Sequence, residues 1–196
     1  MKMMSVCRLV LAVIMVAFVI FPAGISAAGP PAVGGALPDV SLSAPSDRGE
    51  RSYLGVSGTF KIPQIKAQVL IIEIFSMYCP YCQKDAPKVN ELYQKIEGNP
   101  ALKGKMKIIG VGAGNSAFEV ATFKKKYNVP FPLFADPDFK IYEQLGQLRT
   151  PYFIGLNINA DGSHRIFFSK LGAFEGVDAF LESMIRLSGI NEGEKR

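Results

Sequence analysis

Two cysteines, Cys79 and Cys82, enclose Pro80 and Tyr81 in this 196-residue chain and are its best-equipped residues for chemistry. A thiolate is a nucleophile and a metal ligand, and two cysteines at C-x-x-C spacing can cycle between dithiol and disulfide. The apolar run Val69 to Phe75 precedes the pair, and helix-spaced apolar residues follow it. The pair therefore falls where a strand gives way to a helix. A helix N-terminus presents unpaired N–H groups and partial positive charge, which favour thiolate over thiol. Cys79 is thus the expected nucleophile. Cys82, one turn inside the helix, is placed to attack the mixed disulfide that forms, and the two sulfurs close a Cys79–Cys82 disulfide.

Competing uses of the pair fit less well. A structural zinc site needs about four ligands, and the chain offers His164 as its only histidine. Covalent haem attachment needs a histidine after the second cysteine, where Gln83 stands. A purely structural bridge would close a very short loop and constrain the unfolded chain little. No metal ligand set is assigned.

The elements around the pair alternate. Val69 to Phe75 (VLIIEIF) reads as a central strand covered on both faces. Ala86, Val89, Leu92, Tyr93 and Ile96 recur at helical spacing before Gly98-Asn99-Pro100. Met106 to Val111 is a second buried strand. Ser116 and Glu119 form a capping-box pattern that opens a helix to about Tyr127. Phe131 to Phe134 predicts a short strand and Asp138 to Leu145 a short helix. Tyr152 to Ile158 and His164 to Ser169 flank Ala160-Asp161-Gly162, a hairpin pattern. A last amphipathic helix runs from Phe174 to Ile185, with Gly189 ending it. This order predicts an α/β fold: a central mixed sheet flanked by helices, with an antiparallel hairpin at its edge.

The first 28 residues read as a secretory signal peptide. Lys2 and Arg8 flank a positive start, Leu9 to Phe21 is an apolar run of 13 residues, and Ser26-Ala27-Ala28 supplies small residues for cleavage. That run is shorter than the ~20 residues of a membrane-spanning helix. A retained segment would instead tether the protein to the outer face of the membrane. Processing removes Cys7, leaving only the C-x-x-C pair, and lowers the net charge of +5 by two. So small a surplus, with no basic stripe, gives no basis for a nucleic-acid partner. Residues 29–50, rich in Gly, Pro and Ser, read as a linker and N-terminal extension, with an edge strand around Leu37 to Leu42. Residues 51–190 form the main domain and 191–196 a tail.

From about Leu37 to Gly189 the chain resembles the thioredoxin superfamily, in particular its TlpA-like and redoxin branch of exported thiol–disulfide oxidoreductases. The cysteine pair carries the resemblance with three other positions. Glu73 lies six residues before Cys79, where thioredoxins keep a buried acid, and Pro87 lies five after Cys82, where they kink the active-site helix. Thr150-Pro151 matches the cis-proline beside the substrate groove. Residues 115–149 correspond to the central α/β insert of the TlpA-like branch. The sequence departs at Tyr78, where a Trp is usual, and at Pro80-Tyr81, the dipeptide of glutaredoxins.

The resemblance implies a thioredoxin fold and reversible dithiol–disulfide exchange on exported, periplasmic proteins, with the lean toward a reductase. It implies no cofactor; electrons come from another dithiol protein, a membrane-embedded donor among the candidates. Glu73 would shuttle the proton of Cys82, since a carboxylate in so apolar a strand is costly without a role. Tyr78, Pro80, Tyr81, Thr150 and Pro151 would frame the groove for an extended substrate. Two other readings use the same fold. A copper chaperone like the Sco group would add His164 to the cysteines, although that group spaces its cysteines by three residues. A thiol peroxidase would use Ser76, Cys79 and Arg149, although the proline expected ahead of that motif is absent.

Overall fold

A computed structural model describes residues 29–190. The signal-peptide reading, Cys7 and the C-terminal tail lie outside the described residues.

The run Val69–Phe75 forms strand β3, and all seven of its side chains are buried, as a continuous β-branched run requires. It is the middle of a five-stranded sheet ordered β5-β4-β3-β6-β7. Strands β4 (Met106–Ala113) and β5 (Leu133–Asp136) extend it in parallel on one side. Strands β6 (Tyr152–Ile158) and β7 (His164–Leu171) extend it antiparallel on the other. The sheet is therefore mixed, with the hairpin at one edge.

Side chains alternate across a strand, and β3 divides two cores accordingly. Val69, Ile71 and Phe75 pack with helices α2 (Pro80–Gly98), α3 (Ala117–Lys126) and α5 (Val177–Ser188). Leu70, Ile72 and Ile74 pack toward helices α1 (Arg48–Leu54) and α4 (Lys140–Gln144) and a small two-stranded ladder. That alternation puts Glu73 on the α2 side. Among the described residues no helix is long and apolar enough to cross a membrane.

Three local expectations shift. The fifth strand begins at Leu133 rather than Phe131, because Pro130 and Pro132 have no N–H for a ladder. The Leu133 side chain lies over Gly110 of β4, where a Cβ would meet Leu133 Cδ2 at 2.5 Å. The N-terminal strand is β1 (Ser41–Ser43), paired with β2 (Thr59–Lys61) in its own ladder and not at the edge of the main sheet. Helix α1 was not foreseen. Its signals are local: Asp47 accepts from the Glu50 N–H at 2.8 Å as N-cap, and Gly55 closes the helix at φ 68°.

The Gly/Pro-rich segment packs as well as connects. Val40 and Leu42 are buried in the α1-side core. The Gly34 N–H donates to the Ile166 carbonyl at 2.8 Å, and the Ile166 N–H to the Gly35 carbonyl at 2.9 Å. This covers part of the exposed edge of β7, where unpaired strand groups invite aggregation. Leu42→Ala should lower unfolding free energy in urea by about 2–5 kcal/mol. A residue of a mere spacer would change it by less than about 0.5 kcal/mol.

Candidate active site

Cys79 is the N-cap of α2 and Pro80 its first helical residue, a position that tolerates the missing proline N–H. The Cys79 N–H donates to the Ser76 carbonyl at 3.0 Å, which turns the chain from β3 into the helix. Cys79 is half-buried and Cys82 fully buried, and the two are unbridged. Pro87 sits inside α2 without ending it.

The opposite wall comes from the loop before β6. The Thr150–Pro151 peptide is cis, and the Cys79 thiol donates to the Thr150 carbonyl at 3.4 Å. That bond belongs to the thiol and is lost on ionisation. Other groups serve the thiolate. Burial alone pushes the Cys79 thiol up. The Thr150 side chain, the Cys82 N–H and thiol, and the Tyr81 N–H outweigh it and bring Cys79 below the ordinary cysteine value. Cys82 goes the other way. Burial pushes its thiol far up; the Ser76 backbone offsets part of this, and negative charge on Glu73 and Cys79 adds to it. The two sulfurs of one short motif are thus strongly unequal.

Glu73 lies beneath them. It pairs across the sheet with Gly110 and Phe153 and is 3% exposed. Burial, then the charges of Asp85 and Cys79, push its carboxyl up to about 8. A group at that value exchanges a proton near neutral pH.

Sequence reasoning passed over Asp85. It stands one turn beyond Cys82 on α2 and is 2% exposed. Its Oδ1 lies 3.1 Å from Lys88 Nζ, and its Oδ2 has no hydrogen-bond partner among the described residues. Burial pushes its carboxyl up, with Lys88 offsetting part of the rise. A charged residue in a helix ordinarily reads as solvated. The available signal was that Asp85 falls on the apolar stripe beside Ala86 and Val89.

Tyr78, Pro80 and Tyr81 are exposed around Cys79, with Tyr78 65% and Tyr81 70% accessible. The Tyr78 hydroxyl donates to Glu119 of α3. The sheet separates the copper-site residues. The top of β3 pairs at Tyr152, whereas His164 pairs with Ile158, six residues along β6. At ~3.3 Å per residue this is about 20 Å, so Cys79, Cys82 and His164 do not converge on one ion. Nor does Arg149 supply a peroxidase centre: it is exposed and is not among the groups acting on the Cys79 thiolate.

Iodoacetamide at neutral pH should alkylate Cys79 of the reduced protein roughly tenfold or more faster than Cys82, read by peptide mass spectrometry. Equal rates would contradict the inequality of the two sulfurs.

Known proteins share this frame. The sequence model of the AhpC/TSA family matches residues 33–168. Thiol-disulfide oxidoreductase ResA of Bacillus cereus is 29% identical over 96 residues, covering 48% of this chain and 53% of the relative. The chain thus spans about half the length of the curated relatives it matches. A secreted Mycobacterium tuberculosis disulfide oxidoreductase homologous to Escherichia coli DsbE superposes with a TM-score of 0.53 at 17% identity, over 76% of this chain and 96% of that one. A secreted thiol-disulfide isomerase from Corynebacterium glutamicum superposes with a TM-score of 0.57 at 18% identity, over 78% and 85% of the two chains. At such identities the superpositions speak to the fold, which is that of thioredoxin with a central insert. The match over residues 33–168 covers the strand, the cysteine helix, the insert and the proline loop together, and the chain belongs to the AhpC/TSA family.

Proposed function

We propose that the protein is an exported thiol–disulfide oxidoreductase that works on protein disulfides through Cys79 and Cys82. The observation that carries this reading is the inequality of the two thiols above a buried carboxyl of raised pKa. ResA, which bears the name thiol-disulfide oxidoreductase, supports it from sequence. In the reducing direction, which we favour, the Cys79 thiolate attacks a substrate sulfur and the substrate S–S bond breaks. One substrate thiolate leaves and a mixed disulfide forms. The ionised form of Glu73, no longer opposed by charge on Cys79 in the mixed disulfide, takes the proton of Cys82, and the Cys82 sulfur attacks that of Cys79. The second substrate thiolate leaves, and the enzyme holds the Cys79–Cys82 disulfide. Two electrons have passed to the substrate, and a donor dithiol protein restores the enzyme.

Tyr78, Pro80 and Tyr81 on one side and Thr150 and Pro151 on the other form the walls where an extended substrate segment lies. Residues 1–28 direct export, residues 29–50 are the extension that packs on the domain, and residues 51–190 carry the chemistry. The periplasm is the compartment that fits such a leader and a chain left with two cysteines. Cys82→Ser should accumulate mixed disulfides with exported proteins, whereas Cys79→Ser should trap none. Trapping by both equally, or peroxide consumption without reduction of protein disulfides, would overturn the reading.

Glu73 adds a pH signature. Its folded-state value of about 8 lies above the ordinary 4.5, so the native protein holds a proton across that window which the unfolded chain has released. Stability therefore falls as pH rises from about 4.5 to 8, by up to a few kcal/mol. Glu73→Gln should abolish this fall in urea unfolding. It should also slow resolution of the mixed disulfide and flatten its rise with pH through about 8. Resolution unchanged at every pH would remove Glu73 from the proton path.

A further inference from the structure

Three residues, Ser76 to Tyr78, connect β3 to Cys79, and all three are gripped by one short segment at the start of the insert. The Met77 N–H donates to Asn115 Oδ1 at 2.8 Å, and Asn115 Nδ2 faces Ser76 Oγ at 3.5 Å. The Tyr78 hydroxyl donates to Glu119 Oε1. The other carboxylate oxygen of Glu119 accepts from the Ser116 N–H at 2.7 Å and hydroxyl at 2.8 Å, while Ser116 Oγ accepts from the Glu119 N–H at 3.3 Å. The capping box that starts α3 therefore has a second partner outside its own helix.

Asn115 is built into this place. It is fully buried, and its N–H donates to the Gly112 carbonyl at 3.1 Å. A Cβ on Gly112 would come within 2.9 Å of Val120 and 3.1 Å of Asn115. Gly112 leaves room for Asn115 and α3 to reach the loop. On the far side, Gln83 Nε2 donates to the Met77 carbonyl at 2.7 Å. Met77 is thus held at its N–H by the insert and at its carbonyl by α2. A buried side-chain amide that accepts from the Met77 N–H and faces the Ser76 hydroxyl ties this loop to the segment that carries it, because the buried amide has no water to exchange for its partners.

We propose that Asn115 and Glu119 are positioning residues that clamp the Ser76–Tyr78 loop and so hold the Cys79 sulfur against the N–H groups of Tyr81 and Cys82. This rests on the thiol–disulfide reading and assigns the insert a task within that site. Release of the clamp lets the turn closed by the Cys79 N–H and the Ser76 carbonyl drift, and the sulfur loses the fixed dipoles that favour its charge. Tyr78 feels the same loss at the mouth of the groove. Its ring stays 65% exposed while its hydroxyl is tethered, so the bond orients the ring without burying it.

The test titrates the Cys79 thiolate by pH-dependent iodoacetamide alkylation in reduced protein carrying Asn115→Ala, Glu119→Gln or Tyr78→Phe. Unfolding in urea is measured alongside. Asn115→Ala should raise the Cys79 midpoint by about one pH unit, seen as roughly tenfold slower alkylation below the midpoint. Glu119→Gln and Tyr78→Phe should move it the same way by less, and their combination should do no more than either alone. Leu42→Ala, which weakens the fold from the opposite face of the sheet, should leave the midpoint in place. If Asn115→Ala does not fold, the Glu119 and Tyr78 variants carry the test. An unmoved midpoint in folded clamp variants, or an equal shift in Leu42→Ala, would reduce the contacts to a helix cap. Alkylation needs no disulfide substrate, so the clamp stands or falls separately from the oxidoreductase activity.

Discussion

The arrangement depends on a carboxyl group buried in the middle of an apolar strand. Glu73 is flanked in sequence by Ile72 and Ile74, and all seven residues of β3 are buried. Ionising such a group where water cannot reach it is unfavourable by several kcal/mol, and proteins answer by keeping it neutral or by pairing it. Here the charges acting on Glu73 are Asp85 and Cys79, both of which oppose ionisation. The site therefore stores its proton in the carboxyl and its negative charge on Cys79, at the helix end where N–H groups receive it. Cys82 lies between the two, with a thiol too buried to ionise until a neighbour takes its proton. Two chemically identical side chains acquire opposite shifts in acidity across about one turn of helix.

The rest of the fold supplies the walls this inequality needs. Alternation along β3 decides that Glu73 faces α2 and not α1. The parallel neighbour β4 delivers the Asn115–Glu119 segment to one side of Cys79, and the antiparallel neighbour β6 begins at the Thr150–Pro151 corner on the other. The central strand of the mixed sheet thus ends between a segment that holds the loop and a segment that touches the sulfur. The N-terminal ladder, α1 and α4 cover the opposite face and hold the sheet from behind.

Much of this was legible because its signals are periodic or punctuated. VLIIEIF could only be a covered strand, and the hairpin was marked by Ala160-Asp161-Gly162. Cys79 and Cys82 stood out by spacing, Glu73 by its incongruity among isoleucines. What escaped notice had weak or ambiguous signals. Helix α1 buries only Leu54, so no apolar stripe announced it, and its capping residues Asp47 and Gly55 lay beside a segment rich in turn formers. The strand expected from Phe131 begins only at Leu133, because Pro130 and Pro132 have no N–H for the ladder. Asp85 looked like one more helix charge, and Ser116–Glu119 like an ordinary helix start. Nothing local reveals that a capping carboxylate also reaches a tyrosine 41 residues away. Such contacts exist only once β3 and β4 lie side by side.

The most direct test of the account is the titration of the Glu73 side-chain carboxyl itself in the reduced protein, followed by carbon-detected NMR with selectively labelled glutamate and assigned by Glu73→Gln. The account predicts a midpoint near 8, with the Cys79 and Cys82 β-carbons reporting one sulfur that ionises below the usual cysteine range and one that ionises above it. A Glu73 midpoint in the ordinary carboxylate range near 4.5 would contradict it. It would mean that the Glu73 carboxylate is too weak a base near neutral pH to take the proton from Cys82.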